Sequence, residues 1–103
     1  MKAFMMILGI LALAGCSAPE QPDLQIGEDY GTARQRLIVE GWRPVPAACS
    51  PNNMCFGDNF PEMATNMETG TVCPVFTKAS SKLVVCLNVI LDGAEVESFR
   101  IER

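Results

Sequence analysis

The strongest constraint on this chain is the position of two cysteines within two strand-like runs. Val72 to Thr77 and Leu83 to Leu91 are rich in β-branched residues, and Lys78-Ala79-Ser80-Ser81 separates them. A four-residue break pairs Thr77 with Lys82, and stepping back along both strands sets Cys73 opposite Cys86. Directly opposed residues of antiparallel strands have Cβ atoms about 4.5–5.5 Å apart, near enough for a bridge where the geometry permits. Asp92-Gly93 is a strong type I′ hairpin signal and introduces a last strand from Ala94 to Ile101. The C-terminal third is therefore predicted as a β-meander. One face carries Val72, Pro74, Phe76, Leu83, Val85, Leu87, Val89, Leu91 and Val96, and a helix is expected to cover it. The other face mixes Cys73, Val75, Val84, Cys86, Ile90, Phe99 and Ile101 with Asn88, Glu95 and Glu97.

The N-terminus sets the expected compartment. Lys2 precedes an apolar stretch from Ala3 to Ala14, and Leu13-Ala14-Gly15-Cys16 closes it. A charged start, an apolar run of roughly 7–15 residues and a small-residue exit describe a secretory signal. The stretch is shorter than the roughly 20 apolar residues that span a bilayer. Cys16 directly after Leu-Ala-Gly resembles the lipobox of bacterial lipoproteins. The resemblance implies diacylglycerol on the Cys16 thiol, cleavage before it and acylation of the new amine. Ser17, rather than aspartate, is similar to lipoproteins passed to the outer membrane. The expected organisation is a signal peptide at 1–15, a lipidated tether at 16–26 carrying Pro19 and Pro22, and a small domain at 27–103.

A domain of this size buries little more than about 60% of its unfolded surface, so crosslinks help it. With Cys16 assigned to lipid, Cys49, Cys55, Cys73 and Cys86 remain, an even number in a compartment that permits oxidation. Four cysteines allow three connectivities. The strand register favours Cys73–Cys86, which leaves Cys49–Cys55.

Gly27 to Gly41 reads as the one helix. Tyr30, Ala33, Leu37 and Ile38 form an apolar stripe at helical spacing. Glu28 and Asp29 suit the positive end of the helix dipole, Thr32 with Gln35 offers a second start as a capping box, and Gly41 is a natural stop. The prolines of Trp42-Arg43-Pro44-Val45-Pro46 restrict any strand there to a sheet edge. Ala47 to Gly70 reads as a long loop, which needs a staple or a function. The fold class is α+β: one N-terminal helix packed on a three- to four-stranded antiparallel β-meander, stapled by two disulfides.

Composition narrows the chemistry. The chain has no histidine, which removes the usual general base, the Ser-His-Asp and Cys-His arrangements, and the commonest transition-metal ligand. Cys49-x5-Cys55 lacks redox-motif spacing, and no phosphate-cradling glycine loop is present. The net charge is −4, and the basic residues are scattered, so nucleic acid is excluded as a partner. No cofactor and no enzyme activity are expected. Trp42, Phe56 and Phe60 are the candidate partner contacts, because aromatic residues dominate interface energetics; Trp42 also reads as core beneath the helix end, which leaves Phe56 and Phe60 in the loop as the better candidates. Met54, Met63 and Met67 supply an alternative reading as a small-ligand or copper binder, since thioethers favour Cu(I).

The segment Tyr30 to Pro44, with its Ala33-Arg34, Leu37 and Gly41-Trp42-Arg43-Pro44, is similar to a pattern in small proteobacterial exported proteins. The helix-then-meander order also resembles the small outer-membrane lipoproteins of the barrel-assembly machinery and the repeats of β-lactamase-inhibitor-like proteins. The small exported proteins have no assigned functional residues to carry over. The expected function is a non-enzymatic accessory or protein-interaction module, held by its lipid on the periplasmic face of the outer membrane beside an envelope partner.

Overall fold

The computed structural model describes residues 21–103, and the one helix among these described residues, α1, spans Tyr30–Val39. The helix starts where it does because Asp29 caps it. The Asp29 carboxylate accepts from the Thr32 amide at 3.0 Å, satisfying a donor that has no partner within the helix. The end is set by Gly41, whose φ is +103°. The Gly41 amide donates to the Ile38 carbonyl at 3.0 Å, and the Trp42 amide reaches back to Leu37 at 2.9 Å. This paired pattern is the Schellman motif, and it usually brings an apolar contact between its two ends. Here those residues, Trp42 and Leu37, both enter the core. A Cβ at position 41 would meet Lys78 Cε at 3.4 Å in a backbone conformation that L-residues disfavour. Gly41→Ala is therefore expected to cost about 1–2 kcal/mol, read as a lower urea midpoint at unchanged slope.

Six strands follow the helix: β1 (Arg43–Pro44), β2 (Asn53–Cys55), β3 (Ala64–Asn66), β4 (Val75–Lys78), β5 (Ser81–Ile90) and β6 (Gly93–Glu102). Four of them form an antiparallel sheet in the order β1-β4-β5-β6, while β2 and β3 form a separate ribbon. Pro44 lies on the edge strand, where its missing donor does no harm. Thr77 pairs with Lys82 as the sequence indicates, and the pairing continues to Lys78 and Ser81, leaving Ala79-Ser80 as the turn. The α+β class follows from one helix and a mostly antiparallel sheet. Cys73 and Cys86 are bonded across neighbouring chain segments with Cα atoms 4.0 Å apart, and Cys49 and Cys55 are bonded at 5.5 Å. The Cys73–Cys86 bridge closes a separation of 13 residues. Its removal in Cys73→Ser/Cys86→Ser is expected to cost about 3 kcal/mol, checked by denaturation under non-reducing conditions.

The β5–β6 hairpin departs from the sequence reading in two ways. Ile90 pairs with Gly93, so the turn residues are Leu91 and Asp92 rather than Asp92 and Gly93. The register also shifts between Cys86 and Leu87: Leu87 faces Val96 while Cys86 faces Ser98. Glu97 is the extra residue, and one extra residue reverses the inside-outside alternation beyond it. Phe99 therefore lies opposite Val85, and Ile101 lies opposite Leu83. Both were expected on the outer face; Ile101 instead packs against the core. Val89 and Leu91 were expected inside but are exposed, Leu91 at 99%. The hairpin outruns the core, whose last members on these strands are Leu87, Ala94 and Val96.

The core joins Tyr30, Ala33 and Leu37 of the helix to Phe76, Leu83, Val85, Leu87 and Val96 of the sheet, with Trp42, Met63 and Val72 completing it. Ile38, expected in the helix stripe, is exposed. The segment 47–70 is not an unstructured loop, because β2 and β3 pair with Met54 opposite Thr65 and Cys55 opposite Ala64. Residues 22–26, expected in the tether, are docked on the domain instead. Pro22 is buried, Leu24 packs against the core, and Arg36 donates to the Asp23 carbonyl at 2.6 Å and pairs with Glu28. Gly27 and Glu28 then exchange backbone hydrogen bonds with Val96, covering part of the β6 edge. The proposed signal at 1–15 and Cys16 lie outside the described residues.

Candidate functional site: an apolar groove at the helix start

Three elements converge where α1 begins. Tyr30 and Gly31 come from the helix, Phe56, Phe60 and Met63 from the turn between β2 and β3, and Val89, Ile90 and Ala94 from the tip of the β5–β6 hairpin. They enclose a groove of about 360 Å³. Ligand-binding clefts typically run about 300–1,000 Å³ and are mostly apolar with a few polar groups. Phe56 is 47% exposed and Phe60 36% exposed, so both sequence-predicted aromatics in this turn stand at the surface, and the fold brings them together.

The turn that carries them is braced from within. The Phe56 amide donates to the Met63 carbonyl at 3.1 Å, and the Met63 amide donates to the Phe60 carbonyl at 3.0 Å. Beneath it lies Glu62, only 3% exposed. Its carboxylate accepts from the Tyr30 hydroxyl at 2.5 Å and from Arg34 Nε and Nη2 at 2.7 and 3.2 Å. Arg34 lies 5.2 Å from the Phe60 ring centroid, within reach of a cation–π attraction. Burial pushes the Glu62 carboxyl up, but the hydrogen bonds from Arg34 and Tyr30 outweigh it and hold the group below its ordinary value. Burial, and then the bond to Glu62, hold the Tyr30 hydroxyl far above its usual range. Glu62 is thus a buried, ionised strut that fixes the aromatic turn to the helix.

Sequence reasoning missed this strut. Tyr30 and Arg34 lie four residues apart and share one helix face, which was a usable signal, but Glu62 is remote in sequence and only the fold brings it to them. The third aromatic candidate is placed differently. Trp42 is 1% exposed and offers a partner almost no surface; the Schellman turn that ends α1 directs it inward beside Leu37. Its Nε1 is buried without a hydrogen-bond partner among the described residues, and Lys78 Nζ lies 5.8 Å from its ring. The methionines are divided: Met63 fills the core, while Met54 and Met67 face solvent. Among the described residues, no group of three or more His, Cys, Asp or Glu side chains is arranged to hold a metal, and no helix is long and apolar enough to cross a membrane.

Comparison with protein-family models, with curated proteins and with solved structures returned no match.

Proposed function

We propose that this chain is a lipid-anchored, non-enzymatic interaction module of the bacterial envelope, tethered through Cys16 to the outer membrane. On this reading one helix on a four-stranded meander forms the rigid body, and the groove at the helix start is the contact surface. The observation that carries the reading is the pair Phe56 and Phe60, held at the surface over an apolar groove by a buried charge network. Exposed aromatics held rigid bind at low entropic cost and are enriched among interface hot spots. The lipid supports anchoring, because two or more acyl chains make membrane attachment stable where one does not.

A photo-crosslinking residue at position 60 tests this in intact cells, with position 39 as the control. Val39 is 86% exposed on the helix and does not line the groove. A discrete envelope protein captured from position 60 and absent from position 39 is expected. Equal capture from both positions, or a mature N-terminus shown by mass spectrometry to lack acyl groups at Cys16, would overturn the reading.

A further inference from the structure

The groove has an electrostatic sign as well as a shape. Asp29 lines it, Asp58 lies in the turn between Phe56 and Phe60, and Asp92 stands beside Gly93 at the hairpin tip. All three are exposed, and none has an ion-pair partner among the described residues. Arg34, the cation beside Phe60, is engaged by its bidentate contact with Glu62, and Arg36 is paired with Glu28. Asp29 is engaged as the helix cap, so the apolar floor is flanked by two exposed carboxylates without ion-pair partners among the described residues, Asp58 between two lining aromatics and Asp92 next to the lining Gly93.

Resting on the interaction reading above, we propose that the occupant is an exposed protein segment in which apolar side chains are flanked by lysine or arginine. The apolar side chains fill the space between Phe60 and Ile90, and the flanking cations meet Asp58 and Asp92. Complementary charge at a rim governs encounter rate and partner choice more than raw affinity, and it weakens with salt. The same acidic rim disfavours an anionic lipid surface, which would face like charge here. It equally disfavours an acidic peptide.

Two synthetic peptides test the assignment on the full chain held in non-ionic micelles. Both carry the core Leu-Phe-Leu, one flanked by two lysines on each side and the other by two glutamates. The lysine peptide is expected to shift the NMR resonances of Phe56, Phe60 and Ile90. Its binding should weaken with added salt and by about fivefold in Asp58→Asn/Asp92→Asn, as two exposed ion pairs imply. The glutamate peptide should bind more weakly still. Equal binding of the two peptides, shifts confined to residues elsewhere, or unchanged affinity in the charge variant would overturn the proposal. Vesicles of anionic lipid that perturb the groove where the lysine peptide does not would overturn it as well. Capture of an acid-flanked segment by the position-60 crosslinker would leave the interaction reading standing and reject this partner chemistry. Peptide binding without any cellular crosslink would do the reverse.

Discussion

Trp42→Ala is expected to lower stability by about 3–5 kcal/mol, the range for deleting a large buried aromatic side chain. For a small domain with a total of about 5–15 kcal/mol, that is a large fraction of what holds it folded. The residue lies where three elements meet: it closes the Schellman turn of α1 onto Leu37, precedes β1 and supports Lys78 over its ring. Removing it opens a cavity that this bridged body has limited means to close. Trp42→Phe is the informative control. It keeps most of the apolar surface and deletes the indole N–H, which has no partner among the described residues. An unmet buried donor costs about 1–3 kcal/mol, so its loss offsets much of the lost packing. Phe at position 42 is expected to cost less than about 1.5 kcal/mol. Equal losses for the two variants in urea denaturation would show that the indole N–H, rather than ring volume, matters at this position.

The second large effect is expected at Glu62. Glu62→Ala removes the acceptor for both Tyr30 and Arg34 and is expected to cost about 3 kcal/mol near neutral pH. That is the lower end for breaking a buried ion pair, because the Arg34 side chain keeps 18% of its surface accessible to water. The pH dependence has a definite sign. Folding depresses the Glu62 carboxyl, so its contribution is present above the unfolded value of about 4.3 and is lost as pH falls through the folded value. Folding raises the Tyr30 hydroxyl, so its contribution is present below about pH 10 and declines as pH rises beyond that. Wild type should therefore lose stability at both extremes, and Glu62→Ala should show a flatter acid limb. An acid limb of unchanged steepness in the variant would remove Glu62 from the account. The variant should also release the aromatic turn, seen as faster amide exchange at Phe56 and Met63, whose amides brace it.

What the sequence disclosed and what it concealed divide along physical lines. Local rules located the helix and its stop, because Gly41 and the Tyr30-Ala33-Leu37 stripe act within a few residues of one another, but they left the start open between Gly27 and Thr32, and the Asp29 cap sets it at Tyr30. The Cys73–Cys86 bridge was legible because a short break between two strands leaves little freedom of register. The faces of β6 were not legible beyond Val96. Nothing in Glu97 or its neighbours announces a bulge, yet it determines where Phe99 and Ile101 point. The same limit applies to the site. Phe56 and Phe60 could be named as surface aromatics from their place in a polar, proline-containing turn. The strut beneath them joins residues 28 to 32 positions apart and follows only from the fold. Trp42, next to a helix stop, reads more readily as core than as a contact, and the turn geometry places it in the core.

The docking of Pro22 to Glu28 bears on where a partner must be. On the anchored reading, the chain available between Cys16 and Pro22, the first buried residue among those described, is only six peptide units. Fully stretched, that leash reaches about 20 Å. So anchored, a domain with so little slack would sweep a thin shell just above the lipid headgroups, and a partner would have to come to that shell.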